Sequence, residues 1–228
     1  QIPAIDMIEI GAGGGSIAWA DPGGLLKVGP HSAGANPGPA LYGLGGVDAT
    51  VTDANVVLGR LSGAALIGVA MTVYPDKSHE AVARLAAQIG LDPIATAAGI
   101  IEIVNVNMMG AVRAVSIEKG EDPRHYALTA FGGAGPLHAA GVAVEMGMDT
   151  VVVPTRPGIL SALGLLDADV RGDFSVTRLV PLTVDSADAL RDGAEILAAR
   201  GVEWRTAEGL DAGKVTTTWT ADLRYAGQ

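Results

Sequence analysis

Glycine placement constrains this chain more than any other feature. Of 228 residues, 32 are glycine, about double ordinary usage. They gather at 11–15, 23–24, 34–46 and 132–135, between apolar segments. No three-residue period accompanies them, so a collagen-like helix is excluded. Such clusters either let the backbone turn tightly or free N–H groups to approach a ligand. With three Trp, four Tyr and two Phe, the core must rest on aliphatic and alanine packing. A chain of this length is expected to hold one or two domains without disulfide support.

Charge and cysteine content narrow the chemistry. Fifteen Lys and Arg against 25 Asp and Glu give a formal charge of −10, which argues against nucleic acid or an anionic membrane as the main partner. The chain has no cysteine. That removes thiol nucleophiles, disulfides and cysteine-ligated metal centres, and it suits a reducing, cytoplasmic compartment. No uncharged stretch reaches the length of a membrane span, and no basic leader opens the sequence. The chain starts at Gln1 and stops at Gln228 without a visible cap, as expected of an excerpt from a longer protein.

Apolar patterning predicts three meandering strands at 5–10, 16–20 and 25–28, around a glycine loop and an Asp21-Pro22-Gly23-Gly24 turn. Residues 29–50 read as a long ordered loop. Thr52 or Asp53 is placed to cap a helix over 55–60. A possible insert lies near 61–90, where 61–74 is ambiguous and Val82, Leu85, Ala86 and Ile89 share the face of a short helix running from Ser78 to a stop at Gly90. The strongest helix signal follows, with Asp92 as cap, Pro93 in the first turn and apolar residues at 94, 97, 101, 104, 108, 112 and 115. Buried strands are expected at 126–131 and 150–153, separated by the 132–135 turn and a helix from Pro136 to Met146. A Pro157-Gly158 turn and a short helix to Leu163 complete the pattern. This order implies an α/β domain with a largely parallel sheet over 1–169. A helix at 186–200 and a strand at 215–223 would start a C-terminal α+β region over 170–228.

Two glycine turns carry the chemical signal. Gly11-Ala12-Gly13-Gly14-Gly15-Ser16 lies between strands, with no following Gly-Lys-Ser/Thr and no immediate helix, so it fits neither a Walker A loop nor a Rossmann fingerprint. Phosphate wrapping by its amides and the Ser16 hydroxyl, and an oversized hairpin turn, are both compatible with it. Gly132-Gly133-Ala134-Gly135-Pro136 joins a strand to a helix, where a base or phosphate could approach a helix N-terminus and where close packing alone would also select glycine.

The remaining polar residues form no complete catalytic set. Histidines at 31, 79, 125 and 138 have no paired metal spacing, and His138 reads as a hydrogen-bonded or partly exposed side chain. Asp48 and Asp53 offer hard oxygens suited to magnesium, with a capping role for Asp53 weighed above that. Glu118, Glu121, Asp122 and Arg124 read as a solvated helix exit. Asn105 and Asn107 interrupt an apolar helix, either at its surface or facing a ligand or strand. No Gly-x-Ser-x-Gly elbow or Ser/His/acid spacing is present.

Taken in order, several segments resemble the hydantoinase A and 5-oxoprolinase family. They are Gly11-Ala12-Gly13-Gly14-Gly15-Ser16, Ser32-Ala33-Gly34-Ala35-Asn36-Pro37-Gly38-Pro39-Ala40, Val51-Thr52-Asp53-Ala54-Asn55, Ala130-Phe131-Gly132-Gly133-Ala134-Gly135-Pro136-Leu137-His138-Ala139, Ser161-Ala162-Leu163-Gly164 and Asp222-Leu223-Arg224-Tyr225-Ala226-Gly227-Gln228. The resemblance implies an actin-like ATPase fold of the ribonuclease H-like kind, here a partial second domain plus the start of a C-terminal region. It implies ATP- and Mg2+-dependent opening of a cyclic amide such as a hydantoin or 5-oxoproline, through phosphorylation of the amide oxygen and attack by water. Related members take part in ATP-dependent ketone carboxylation, and a non-catalytic nucleotide-binding assembly role is a third reading. Many members act with a B-type subunit.

By this resemblance Gly132, Gly133 and Gly135 contact the nucleotide, Gly13, Gly14, Gly15 and Ser16 lie near phosphate or substrate, and Asp53 is the metal-associated or water-positioning acid. The family's upstream Asp-Gly-Gly-Thr-like phosphate signatures are absent. The parent protein is therefore expected to be an enzyme and these residues alone to be inactive.

Overall fold

An aspartate makes the first reversal. In the computed structural model, which describes residues 7–62, 71–183 and 186–225, the Asp21 carboxylate accepts the Gly23 and Leu25 amides, both at 2.9 Å. It thereby joins strand β1 (Ser16–Ala20) to β2 (Leu26–Ser32). The two pair antiparallel with an irregularity between Ser16 and Ala18, and Trp19 Nε1 donates to the Gly29 carbonyl at 2.9 Å. The strand expected over 5–10 does not form at 7–10, where Ile8 and Ile10 are exposed and no partner strand exists among the described residues. Positions 5 and 6 lie outside the described residues. The meander is thus a two-stranded hairpin.

Helix α1 (Val51–Val57) starts four residues before the predicted 55–60 because Thr50 caps it. Thr50 Oγ1 accepts the Asp53 amide at 3.3 Å, while the Asp53 carboxylate accepts the Thr50 amide at 3.0 Å. In this reciprocal box Asp53 is the third helical residue rather than the cap, and Thr52 is not the cap either. Thr50→Ala is expected to lower stability by about 1–2 kcal/mol. Urea unfolding checks this, and an unchanged midpoint would remove the cap assignment.

Helix α2 (Pro75–Ile89) begins ahead of Ser78 and ends at left-handed Gly90. Helix α3 (Pro93–Val115) starts where expected, with Asp92 accepting the amides of Ile94 and Ala95 at 2.9 and 3.1 Å. Val51, Ala54 and Val57 of α1, Ala81, Val82 and Leu85 of α2, and Ala97, Ile100, Ile101 and Val104 of α3 close on Ala18 and Val28 to form the main core. Within the possible 61–90 insert, α2 is therefore a core helix, and positions 63–70 lie outside the described residues. The apolar stripe of α3 is buried only in part, since Ile94 and Val115 are exposed. By length and composition α3 is apolar enough to cross a membrane. Its buried residues, however, pack against α1, α2 and β2.

A second, methionine-rich core joins Met108, Met109 and Val112 to Val142, Ala143, Met146 and Met148 around α4 (Gly135–Met146). Beside it, β3 (Leu128–Thr129) and β4 (Val151–Val152) form a parallel pair. The strands expected at 126–131 and 150–153 are shorter than predicted and, apart from Ala130, not buried, with Tyr126, Phe131, Val151, Val152 and Val153 all exposed. An apolar run predicts a two-sided sheet only where strands flank it, and among the described residues each has one neighbour. The largely parallel sheet is consequently reduced to this pair. Helix α5 (Leu160–Asp167) follows a 3-10 turn at Pro157–Ile159.

The chain divides into two compact units between Leu166 and Asp167. In the second unit, α6 (Ala187–Ala207) extends past the predicted 200, and Phe174 meets Trp204 edge-on at 6.0 Å. The strand expected at 215–223 is absent, and that segment is exposed and irregular. The predicted solvated exit is present in the first unit: Arg124 pairs with Asp122 at 2.7 Å, and its hydrogen bonds hold the Asp122 carboxyl down at about 2.

Candidate functional site: two facing glycine turns

The first turn directs its carbonyls into protein. The Ser16 amide donates to the Gly13 carbonyl at 3.0 Å, and its buried hydroxyl accepts the Gly13 amide at 3.0 Å while donating to the Gly11 carbonyl at 3.3 Å. Ser16 therefore closes the turn from inside. The Gly14 carbonyl accepts both the amide and the hydroxyl of Thr52, at 2.8 and 2.9 Å, and the Gly15 carbonyl accepts the Ala33 amide at 2.9 Å. The N–H groups of Gly14 and Gly15 have no acceptor among the described residues. A Cβ would lie 2.8 Å from Thr52 Oγ1 at position 14 and 2.8 Å from Ser32 Oγ at position 15, so either hydroxyl would have to shift to admit one.

The second turn starts at Gly132, whose φ of +83° is left-handed and whose amide donates to the Pro157 carbonyl at 2.9 Å. Helix α4 then begins at Gly135 with Ala134 in the cap position and no side chain satisfying its first amides. Gly133, Ala134 and Gly135 donate to no acceptor among the described residues. A Cβ built on Gly13, Gly132 or Gly133 meets nothing within 4 Å, so these positions face open space.

The two turns meet. A Cβ on Gly14 would lie 3.9 Å from the Ala134 Cβ, which brings the 11–16 and 131–138 segments face to face. Free amides on both sides and the positive end of the 12-residue α4 give this face hydrogen-bond donors and a dipole of the sign that favours an anion. Two separate hollows of about 490 and 430 Å³ share Ile17, Val47 and Asp48 and are lined by neither glycine turn.

Asp53 sits behind the first turn, fully buried. One oxygen accepts the Leu41 amide at 2.9 Å and the Ser78 hydroxyl at 2.6 Å. The other accepts the amides of Ala40 and Thr50 at 3.3 and 3.0 Å and the Thr50 hydroxyl at 2.7 Å. The carboxylate thus ties the 40–42 turn, α1 and α2 together, while its neighbour Thr52 holds Gly14. Ser78 and Thr50 went unrecognised as its partners, although Thr50-x-x-Asp53 is the local signature of a capping box. Among the described residues no group of three His, Asp or Glu side chains could hold a metal ion.

His138 is 1% exposed, and its Nδ1 lies 2.9 Å from Asn105 Oδ1. Burial first, and then the Arg60 charge, push its pKa below the ordinary 6.5. The unfolded chain takes up a proton near 6.5 that the native state refuses, so stability present above that value is lost as pH falls below it. In His138→Gln that share of the acid loss is expected to vanish. Urea midpoints across the acid range check this, and an unchanged slope would contradict it.

The chain belongs to the hydantoinase/oxoprolinase family, whose profile matches residues 1–174. The caprolactamase subunit alpha of Pseudomonas jessenii is 38% identical over all of this chain. The crystal structure of that organism's ATP-dependent caprolactamase superposes on 89% of the chain and 30% of its own, with a TM-score of 0.68. Nucleotide-free acetone carboxylase, from work on ATP-dependent acetone carboxylation, superposes on 90% of the chain and 30% of its own at 30% identity, with a TM-score of 0.77. 5-Oxoprolinase 1 of Arabidopsis thaliana is 34% identical over the whole chain. The chain spans 33% of the caprolactamase subunit and 19% of the 5-oxoprolinase. It shares the fold seen in the two solved enzymes.

Proposed function

We propose that this chain is the nucleotide-binding segment of an ATP-dependent hydrolase of cyclic amides, built on an actin-like ATPase fold. The observation that carries this reading is the meeting of the two glycine turns, with unpartnered amides on both. Gly14 and Gly15 would bind phosphate oxygens from one side, with Gly13 bordering the open space, and Gly133 and Gly135 would hold the nucleotide from the other, with Gly132 setting the left-handed bend. Ser16 acts from within by holding the first turn in shape. The names of the caprolactamase and 5-oxoprolinase relatives support a cyclic-amide substrate.

In this reading ATP is a substrate. Transfer of its terminal phosphoryl group to the amide oxygen would make that oxygen a leaving group. One water would then add at the carbonyl carbon and the ring C–N bond would break, the amine leaving with a proton to give an acyl phosphate, which a second water would hydrolyse to carboxylate and phosphate. The chain's contribution is to align the phosphates and offset their charge with fixed N–H dipoles. The described residues do not assemble a magnesium site of their own, since Asp53 is saturated by five hydrogen bonds and no three-member ligand cluster exists. Asp53 is accordingly proposed as a positioning residue for the loops, and no step is routed through a metal. Relatives named as alpha and gamma subunits support a partner subunit, proposed to be of B type.

A second reading, ATP-dependent carboxylation of a ketone, is favoured by the higher TM-score of 0.77 to acetone carboxylase. Phosphate release by the full-length protein with its partner separates the two. ATP turnover that depends on a lactam, hydantoin or 5-oxoproline supports hydrolysis. Turnover that requires ketone and bicarbonate together replaces it with carboxylation, and nucleotide binding without turnover in either mixture leaves only an assembly role.

A further inference from the structure

Behind the second glycine turn sits a polar pair that does not line the cleft. His138 is the fourth residue of α4, and its Nδ1 meets the Asn105 amide oxygen on α3 at 2.9 Å. Asn105 reaches α4 because residue 141, one turn further along, is glycine: a Cβ there would overlap the Asn105 amide nitrogen. An amide oxygen only accepts, so Nδ1 carries the imidazole proton, and Nε2 is left as a buried lone pair without a partner. Protonating that nitrogen would place a second donor in a site with no acceptor, beside the positive charge of Arg60. The first turn of α4 has no capping side chain, and its other residues make no side-chain hydrogen bond among those described.

We infer that Asn105 and His138 form a latch that seats the first turn of α4 on α3 and so aims the free amides of Gly133 and Gly135 into the cleft, making His138 a positioning residue for nucleotide binding. This rests on the nucleotide reading above. The latch requires the Nδ1–H tautomer, because the opposite tautomer would set two lone pairs against each other. Gly141 belongs to the same device, since any side chain there would push Asn105 away.

The test uses the full-length protein with 15N-labelled histidine, titrated with ATP and magnesium, as wild type, Asn105→Ala and Asn105→Asp. Expected are an Nδ1–H signature for wild-type His138 and roughly tenfold weaker ATP binding in Asn105→Ala, as suits a buried donor left unsatisfied. Asn105→Asp retains an acceptor and should restore binding to within about threefold of wild type, a rescue that loss of packing alone would not show. The KM for ATP should rise in Asn105→Ala with kcat at saturation preserved. An Nε2–H tautomer in wild type, or Asn105→Ala binding ATP as tightly as wild type, overturns the latch. If wild type binds no ATP, the nucleotide reading falls and the positioning role with it, while the tautomer signal still decides whether the latch exists.

Discussion

Asp53→Ala is expected to destabilise the protein by about 3–5 kcal/mol, more than any other single change considered. The carboxylate is buried and accepts from three backbone amides and two hydroxyls. Removing it leaves the Ala40 and Leu41 amides without an acceptor where water cannot reach them, since both residues are fully or almost fully buried. It also breaks the capping box of α1 and frees Ser78 at the start of α2. Asp53→Asn keeps the shape but presents an N–H2 group to donors, so it should lose most of the same stability. Urea unfolding of both variants measures this. A loss below about 1 kcal/mol in either would mean that the 40–42 turn, α1 and α2 are held together by apolar packing alone.

Gly133→Val is expected to weaken ATP binding at least tenfold while changing stability by less than about 0.5 kcal/mol. A Cβ at this position meets no atom within 4 Å, and its backbone is not among the positive-φ glycines. The fold therefore tolerates the side chain, and removing glycine even restricts the unfolded chain. On the nucleotide reading proposed above, the space it would fill is the space a nucleotide needs to reach the Gly133 and Gly135 amides. Gly132 would be an unsuitable site for the same experiment, because at φ +83° any side chain strains the backbone. Calorimetric titration of the folded variant decides the matter. Unchanged affinity would remove nucleotide contact as the reason for a glycine at this position.

Features governed by neighbours in sequence are legible in the sequence alone. Asp92-Pro93 starts α3, the Asp21 turn reverses the hairpin and Gly90 stops α2, each through contacts within a few residues. The apolar runs at 5–10, 126–131, 150–153 and 215–223 promised more than they deliver, because alternation and β-branching report a suitable surface and not the strand that must lie beside it. The capping box was misplaced by one role: Thr50 caps and Asp53 answers it, and both Thr52 and Asp53 look like caps when the helix start is unknown. At the site, the glycine clusters were readable as amide-exposing turns. That Gly14 would face Ala134 was not, since only the packed fold brings them together. The reach from Asn105 to His138 and its dependence on Gly141 were equally hidden, although Asn105 already stood out as unsuited to an apolar helix.

The most direct measurement is a crystal structure of the full-length protein with a non-hydrolysable ATP analogue and magnesium. The account predicts phosphate oxygens within hydrogen-bond distance of the Gly14 and Gly15 amides, with the nucleotide also against the Gly133–Gly135 backbone. A nucleotide bound instead in the hollows around Ile17, Val47 and Asp48, or away from both glycine turns, would contradict it.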